Sequence, residues 1–355
     1  MRLNLKIISL FTFLVIFLSA CSSASAVQSW PGMTIDSNRQ LLFVANQHNV
    51  YAINLSNSQL KWQFPEKEDG NKLFYAAPSL TPDGQLIVGG YDHKLYSINP
   101  ENGQLLWTFE QAKGKYIASP LTTEKAIYAS CTDENLYALD LKGNLLWSFH
   151  TKHAIWSKPV LHNGLLYLSA MDSHLYALNP DNGNMVWSTD MQGASVSSPT
   201  FDSEGNLYVG TFAKEMISMD SNGKIRWRTP TEGWVWSSPL LDDQQCYFGD
   251  ISGNFYSLDK NSGAIKWKIF PSPAPITSSP VMNNQTIYFA NAAENLYAVD
   301  KAGKVLWNVP IGASVHADLL LANNTIYAAT DKTDALIIAF SLEGQQKWTF
   351  SPPKK

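Results

Sequence analysis

Cysteine and charge are both scarce in this chain of 355 residues. Three cysteines cannot build a disulfide-rich scaffold. The 26 basic side chains are outnumbered by 30 acidic ones, and the net charge of −4 argues against a nucleic-acid binder, which needs a basic face. Charged residues make up only 16% of the chain, but 12 Trp, 15 Tyr and 16 Phe supply ample core, which argues against a disordered chain.

The sequence also has little that indicates catalysis. It contains no Gly-x-Ser-x-Gly elbow and no phosphate-binding loop. His150 and His153 have a spacing that is compatible with a metal ion, but no Cys or further His clusters with them, so a solvated loop is favoured. We therefore expect no catalytic residue and no metal site.

The long apolar run at the start of the chain is predicted to be a targeting signal. Ile7 to Phe17 is apolar apart from two residues, follows a short basic start, and is too short to span a membrane, so residues 1–20 are predicted to be a signal peptide. The run ends in Leu18-Ser19-Ala20-Cys21, which resembles the bacterial lipoprotein signal. That resemblance implies cleavage before Cys21, lipidation of Cys21, and a lipidated tether over residues 21–29. The alternative is an ordinary secretory signal.

A repeat of about 40 residues fills the rest of the chain. In each unit a strand-like apolar phrase precedes a tryptophan, and in seven of eight units the turn between them contains Gly. Asx and Gly between two apolar runs predict a hairpin turn. The eight tryptophans are spaced by 45, 40, 40, 40, 40, 40 and 41 residues: Trp62, Trp107, Trp147, Trp187, Trp227, Trp267, Trp307 and Trp348.

Each unit holds four short strands, A to D in chain order, so the predicted fold class is all-β. A lone four-stranded sheet cannot bury both of its faces, whereas eight sheets arranged radially form an eight-bladed β-propeller of four-stranded antiparallel blades. We expect one closed domain over residues 30–351. A Pro starts strand A in units 2 to 7, and Asp318 stands where that Pro is expected in the eighth unit.

The repeat resembles the PQQ-like propeller family. The phrase from Ala177 to Trp187 carries the tryptophan-docking motif of that family: a small residue, Asn, Gly and a final Trp. The resemblance implies a structural role for all eight repeat tryptophans, with each indole packed on a small residue of the adjoining blade. The expected partners follow the centre of strand B by two residues: Ala45, Gly89, Ser130, Ser169, Gly210, Gly249, Ala290 and Ala329.

Dehydrogenases that depend on PQQ share this repeat, so an enzymatic function has to be considered. Resemblance to them would imply long insertions that carry a catalytic Asp, Ca²⁺ ligands and often adjacent cysteines. Cys131 and Cys246 are far apart, and the 40-residue units leave no room for such insertions. We therefore expect no PQQ, no other cofactor and no enzymatic activity.

Departures from the repeat give the candidate binding site. Trp156 and Trp236 share one position, three residues before the strand-A Pro, and Tyr75 and Val315 are assigned to it in units 2 and 8. With strand A innermost, this position surrounds the channel mouth on the face of the D–A and B–C loops. Aromatic side chains there either bind a ligand or plug the funnel. The binding candidates on these loops are Tyr75, Tyr116, His153, Trp156, Trp234 and Trp236.

Within the family, the lipoprotein signal and the eight blades resemble the BamB-type lipoproteins. This resemblance implies a monomeric, non-enzymatic scaffold, anchored in the outer membrane or on the outer face of the cell membrane. It would bind an envelope protein or an extended peptide during envelope protein assembly. The loops between blades, such as 190–195, are shorter than those through which BamB-type proteins recruit their partner. The alternative function is an extracytoplasmic sensor for a small molecule or a glycan.

Overall fold

The computed structural model describes residues 30–353, and these confirm the predicted eight-bladed propeller. Every blade is one continuous four-stranded antiparallel sheet whose strands follow chain order. A strands of neighbouring blades contact one another at most of the blade boundaries, so they lie around the central axis. No helix within residues 30–353 is long and apolar enough to cross a bilayer.

The first four blades contain strands β1 to β16. Blade 1 comprises β1 (Gly32–Asp36), β2 (Leu41–Asn46), β3 (Asn49–Asn54) and β4 (Leu60–Phe64). Blade 2 comprises β5 (Ser79–Leu80), β6 (Leu86–Gly89), β7 (Leu95–Ile98) and β8 (Leu105–Phe109). Blade 3 comprises β9 (Leu121–Thr122), β10 (Ile127–Ser130), β11 (Asn135–Leu139) and β12 (Leu145–His150). Blade 4 comprises β13 (Val160–His162), β14 (Leu165–Ser169), β15 (His174–Leu178) and β16 (Met185–Asp190).

The last four blades contain strands β17 to β32. Blade 5 comprises β17 (Thr200–Phe201), β18 (Leu207–Thr211), β19 (Glu215–Met219) and β20 (Ile225–Pro230). Blade 6 comprises β21 (Leu240–Leu241), β22 (Gln245–Gly249), β23 (Phe255–Asp259) and β24 (Ile265–Ile269). Blade 7 comprises β25 (Val281–Asn283), β26 (Thr286–Ala290), β27 (Asn295–Asp300) and β28 (Val305–Pro310). Blade 8 comprises β29 (Leu320–Ala322), β30 (Thr325–Ala329), a 3-10 turn (Thr333–Ala335), β31 (Ile337–Ser341) and β32 (Gln346–Phe350).

The core lies between blades rather than within them. Strands B and C are almost wholly buried, as in β2, whereas the outer D strands alternate between exposed and half-buried side chains, as in β16. Within residues 30–353 the ring closes by packing, because β1 contacts β29 and a buried apolar cluster joins blades 8 and 1 through Leu42, Tyr51 and Tyr327.

The repeat tryptophans bridge neighbouring blades, but their partner differs from the expected one. Seven of the eight indoles pack on the glycine of the next blade's C–D turn, where a Cβ would lie 2.5–3.0 Å from the ring. These glycines have φ between 73° and 85°, a conformation that glycine adopts without strain. The seven pairs join Trp62 to Gly103, Trp107 to Gly143, Trp147 to Gly183, Trp187 to Gly223, Trp227 to Gly263, Trp267 to Gly303 and Trp307 to Gly344.

The small residues of strand B serve a different contact. A Cβ on Gly89 would lie 2.3 Å from Tyr116, and a Cβ on Gly249 would lie 2.1 Å from Ile276. Each of these bulky residues is on the D–A loop that enters the next blade and is fully or almost fully buried. Small side chains in strand B therefore make room for the incoming loop, because a larger group would clash with it.

The glycine–indole contact can be tested with two matched glycine substitutions. Gly164 also has a positive φ, of 78°, but nothing lies within 4 Å of the position its Cβ would occupy. Gly164→Ala should cost about 1 kcal/mol, from backbone strain alone. Gly143→Ala should cost about 1–3 kcal/mol more, because its Cβ would overlap the Trp107 indole. Equal losses in denaturant unfolding would contradict the contact.

The two internal cysteines give a second test of the blade assignment. Cys131 in blade 3 and Cys246 in blade 6 are both free and completely buried. Burial raises the pKa of the Cys131 thiol to about 12 and raises that of Cys246 as well. At pH 8 we expect no reaction with a thiol reagent in the folded protein and two reactive internal thiols in denaturant. Fewer than two in the unfolded monomer would contradict the assignment.

Candidate functional site

A ring of eight side chains surrounds the channel on the face of the D–A and B–C loops, which we call the mouth face. Each member precedes by four residues the strand-A residue that pairs with the centre of strand B. Five of the eight are aromatic rings, counting histidine. The members of this mouth ring, from blade 1 to blade 8, are Trp30, Tyr75, Ile117, Trp156, Val196, Trp236, Thr277 and His316.

The assignment of the eighth unit from the sequence is wrong by one residue. Leu320 pairs with Tyr327, so Leu319 and not Asp318 takes the position of the strand-A Pro. His316 therefore enters the mouth ring, while Val315 is completely buried between blades 7 and 8. With no Pro in this unit, the sequence lacked the marker that fixed the other units.

One side of the mouth is plugged by stacked rings. Trp30 stacks on His316 at a centroid distance of 5.3 Å and meets Trp236 edge-on, also at 5.3 Å. Trp236 also contacts Phe212, with ring centroids 5.3 Å apart, and Phe212 stacks on Trp234 with centroids 5.0 Å apart. Because Trp30 belongs to blade 1 and Trp236 to blade 6, the Trp30 indole reaches across the mouth and fills it beside blades 6 to 8.

The other side of the mouth remains open as a cavity of about 730 Å³. Tyr75 and Tyr91 stack face to face on one wall, with centroids 4.0 Å apart, and the Lys115 ammonium lies 4.7 Å from the Tyr91 ring. Trp156 forms part of another wall, is 37% exposed, and stacks on no other ring among the described residues. The remaining lining residues are Trp30, Ile117, Thr132, Val196 and Trp236.

Three of the six candidate residues line this cavity, and three do not. Tyr75, Trp156 and Trp236 are in its wall. Tyr116 is only 1% exposed and packs against Gly89 in the blade interface, so the prediction that it contacts a ligand is wrong.

The other two candidates are exposed on the mouth face, outside the cavity. His153 is in the D–A loop that leads to Trp156. Trp234 covers Phe212. Sequence reasoning left Trp30, Tyr91 and Lys115 out of the candidate set.

Below the mouth ring, small polar side chains narrow the channel. Main-chain N–H groups of one blade donate to the next blade's side chain over half the circle: Lys158 to Ser198 Oγ (3.2 Å), Ser198 to Ser238 Oγ (3.1 Å), Ser238 to Ser279 Oγ (3.0 Å) and Ser279 to Asp318 Oδ1 (2.8 Å). Lys158 and Asp318, four blades apart, are the charged groups of this lower ring. Burial lowers the pKa of Lys158, and the Asp318 carboxylate opposes that shift.

Thr277 and His316 are neighbours in the mouth ring. Thr277 Oγ1 lies 3.4 Å from His316 Nδ1, and no carboxylate among the described residues hydrogen-bonds this imidazole to complete a triad. Residues 30–353 contain no group of three or more His, Cys, Asp or Glu side chains that could hold a metal ion. Cys131 and Cys246 are buried in separate blades, so they do not form the adjacent pair that many PQQ enzymes have.

Comparisons with solved structures show the same fold in proteins of different kinds. BamB from Moraxella catarrhalis gives a TM-score of 0.76 at 14% identity, over 86% of this chain and 94% of that one. The computationally designed Ika8 protein gives 0.75 at 14% identity, over 89% and 97%. A europium-containing methanol dehydrogenase gives 0.69 at 14% identity, over 84% and 81%. At such identity the likeness shows the fold alone.

The family assignment comes from sequence. No curated protein matches the chain at a significant level. A family model described as "Outer membrane protein assembly factor BamB" matches residues 46–168 and 171–349, which together span most of the propeller. The chain therefore belongs to this BamB family of PQQ-like repeat propellers.

Proposed function

We propose that this protein is a non-enzymatic, membrane-anchored scaffold that binds an extended segment of an envelope protein at the mouth of its propeller. The observation that carries the proposal is the open, aromatic-walled cavity of about 730 Å³ beside blades 2 to 5. Exposed tryptophan in a concave site is the side chain most often found as a binding anchor, because it buries a large area with few rotatable bonds.

The lining favours a peptide over a glycan. Ile117 and Val196 separate the aromatic walls, so the surface alternates aliphatic and aromatic groups that suit apolar side chains. Lys115 and Thr132 are the lining residues with charged or hydroxyl groups apart from the tyrosines. A glycan site needs more hydrogen-bonding groups beside its rings than this cavity offers, because each buried sugar hydroxyl must find a partner. A glycan sensor is the second candidate.

Family membership and the start of the sequence support the envelope setting. The family is described by its role in outer membrane protein assembly. Leu18-Ser19-Ala20-Cys21, which lies outside the described residues, carries the proposed lipid anchor. Two or more acyl chains would hold the protein stably at a membrane, whereas one chain binds only marginally.

The proposed lipid anchor on Cys21 can be tested directly. Mass spectrometry of the protein extracted from membranes should show an N-terminus at Cys21 carrying a diacylglyceryl group, because the lipoprotein signal directs both lipidation and cleavage. Cys21→Ser should remain unlipidated and partition into the aqueous phase. An unmodified N-terminus beyond residue 21 in the native protein would contradict the proposal.

Binding at the mouth can be tested by substitution of Trp156, with Trp234 as the matched control. Trp156→Ala should lower affinity for extended apolar peptides by about 30-fold, the effect of losing an aromatic anchor worth about 2 kcal/mol. Its melting temperature should stay close to that of the parent, because Trp156 is exposed and stacks on no ring. Trp234→Ala should retain binding, since Trp234 does not line the cavity.

Binding is measured by fluorescence anisotropy on a panel of labelled peptides and, in parallel, of labelled oligosaccharides. Binding of oligosaccharides but not peptides would favour the sensor. Peptide binding that is unchanged in Trp156→Ala would place the functional surface elsewhere. Trp236→Ala is a poor probe, because its stacking on Trp30 and Phe212 also supports the plug.

A further inference from the structure

The chain enters the propeller at the mouth face. Trp30 is a member of the mouth ring, and β1 runs from there, starting at Gly32, down to the A–B turn after Asp36. The segment before Trp30 is therefore attached on the mouth face and not on the opposite face. The nine residues from Cys21 to Ser29 can reach at most about 30 Å, even when fully extended. A lipid on Cys21 would hold this face close to the bilayer.

Exposed aromatic side chains are confined to the same face. Phe270 is 57% exposed, Trp234 is 42% exposed, and both are on D–A loops that flank blade 6. Together with Trp156 they are the exposed Trp, Tyr and Phe side chains among residues 30–353. The turns of the opposite face are instead built from polar Asx-Gly sequences. Trp and Phe are suited to the membrane interface, where an apolar ring meets polar headgroups.

Local structure restricts the positions of the Phe270 and Trp234 side chains. Three prolines follow Phe270, at positions 271, 273 and 275, and they restrict the backbone of its loop. The Pro275 carbonyl also accepts a hydrogen bond from the Ala292 N–H, at 2.9 Å. Trp234 is supported from below by Phe212. Little conformational entropy is therefore lost when either ring enters an interface.

An ion pair lies between these two rings. Glu232, two residues before Trp234, forms an ion pair with Lys268, two residues before Phe270. The surface between the two rings therefore carries no net positive charge from this pair and does not form the basic cluster that recognises anionic lipids. Any contact with a bilayer would be driven by burial of the rings rather than by headgroup charge.

We propose that the blade 5–7 side of the mouth face rests on the bilayer that holds the Cys21 lipid, with Trp234 and Phe270 in the headgroup region. The inference rests on the lipid anchor of the proposed function. It leaves the cavity beside blades 2 to 5 open at the membrane surface, so the segment that binds there is one lying close to the bilayer.

The test uses the lipidated protein in phosphatidylcholine vesicles and two matched label sites. Ala213→Cys is exposed on the mouth face near Phe212, and Ala302→Cys is exposed on a C–D turn of the opposite face. Cys131 and Cys246 are buried and do not take up the label in the folded protein. With an environment-sensitive dye on each introduced cysteine, lipid brominated near the headgroup should quench the dye at 213 and leave the dye at 302 unchanged.

Two further variants test whether the rings make the contact. Adding Trp234→Ser and Phe270→Ser to the 213-labelled protein should abolish the quenching. The control pair Leu145→Ser and Leu146→Ser, which removes exposed apolar groups from the outer strand of blade 3, should retain it. Quenching should be the same at low and high salt, because charge does not drive the contact.

Each other outcome overturns the inference in a distinguishable way. If the acyl mass is present but neither dye is quenched, the anchor stands and the mouth face does not rest on the bilayer. Quenching at 302 instead of 213 would mean that the opposite face lies on the membrane. Quenching at 213 that persists without Trp234 and Phe270 would show that the tether alone sets the distance. A missing acyl mass would remove the anchor, and this inference with it.

Discussion

The contact between an indole and a glycine of the next blade is the interaction on which the whole ring depends. Seven blade boundaries pair a Trp on the outer strand of one blade with a Gly of positive φ in the C–D turn of the next, so these blades are all joined in the same way. At the closure Ser58 holds the turn with φ of 56° in place of Gly, and buried apolar side chains of blades 1 and 8 complete the interface.

Because these contacts lie toward the outer side of the ring, the loops around the axis are free to vary. The same position holds Trp, Tyr, Ile, Val, Thr or His in different blades. At this position Trp30, Trp236 and His316 fill one side of the mouth. Trp156 and Tyr75 line the open side. The sequence predicts that these rings either plug the funnel or bind a ligand; a plug fills one side of the funnel, and an open cavity lies on the other.

The fold could be predicted from the spacing of Trp and Asx-Gly, because both recur wherever a D strand docks on a turn. Tyr75, Trp156 and Trp236 could be placed at the mouth for the same reason. The position of Tyr116 could not be predicted, since a shift of one residue along the loop moves a side chain from the channel into the blade interface. Tyr91 and Lys115 are on single loops without periodic neighbours, so no pattern in the sequence brings them beside Tyr75.

Trp156 and Trp236 are proposed to contact the ligand at the mouth, whereas the eight repeat tryptophans hold the ring together. The indole N–H resonances of the 12 tryptophans, assigned by single substitutions and followed during titration with an apolar peptide, test this most directly. The resonances of Trp156 and Trp236 should shift at saturation while those of the repeat indoles stay fixed. Saturable binding that leaves Trp156 and Trp236 unmoved, or that shifts the repeat indoles instead, would contradict it.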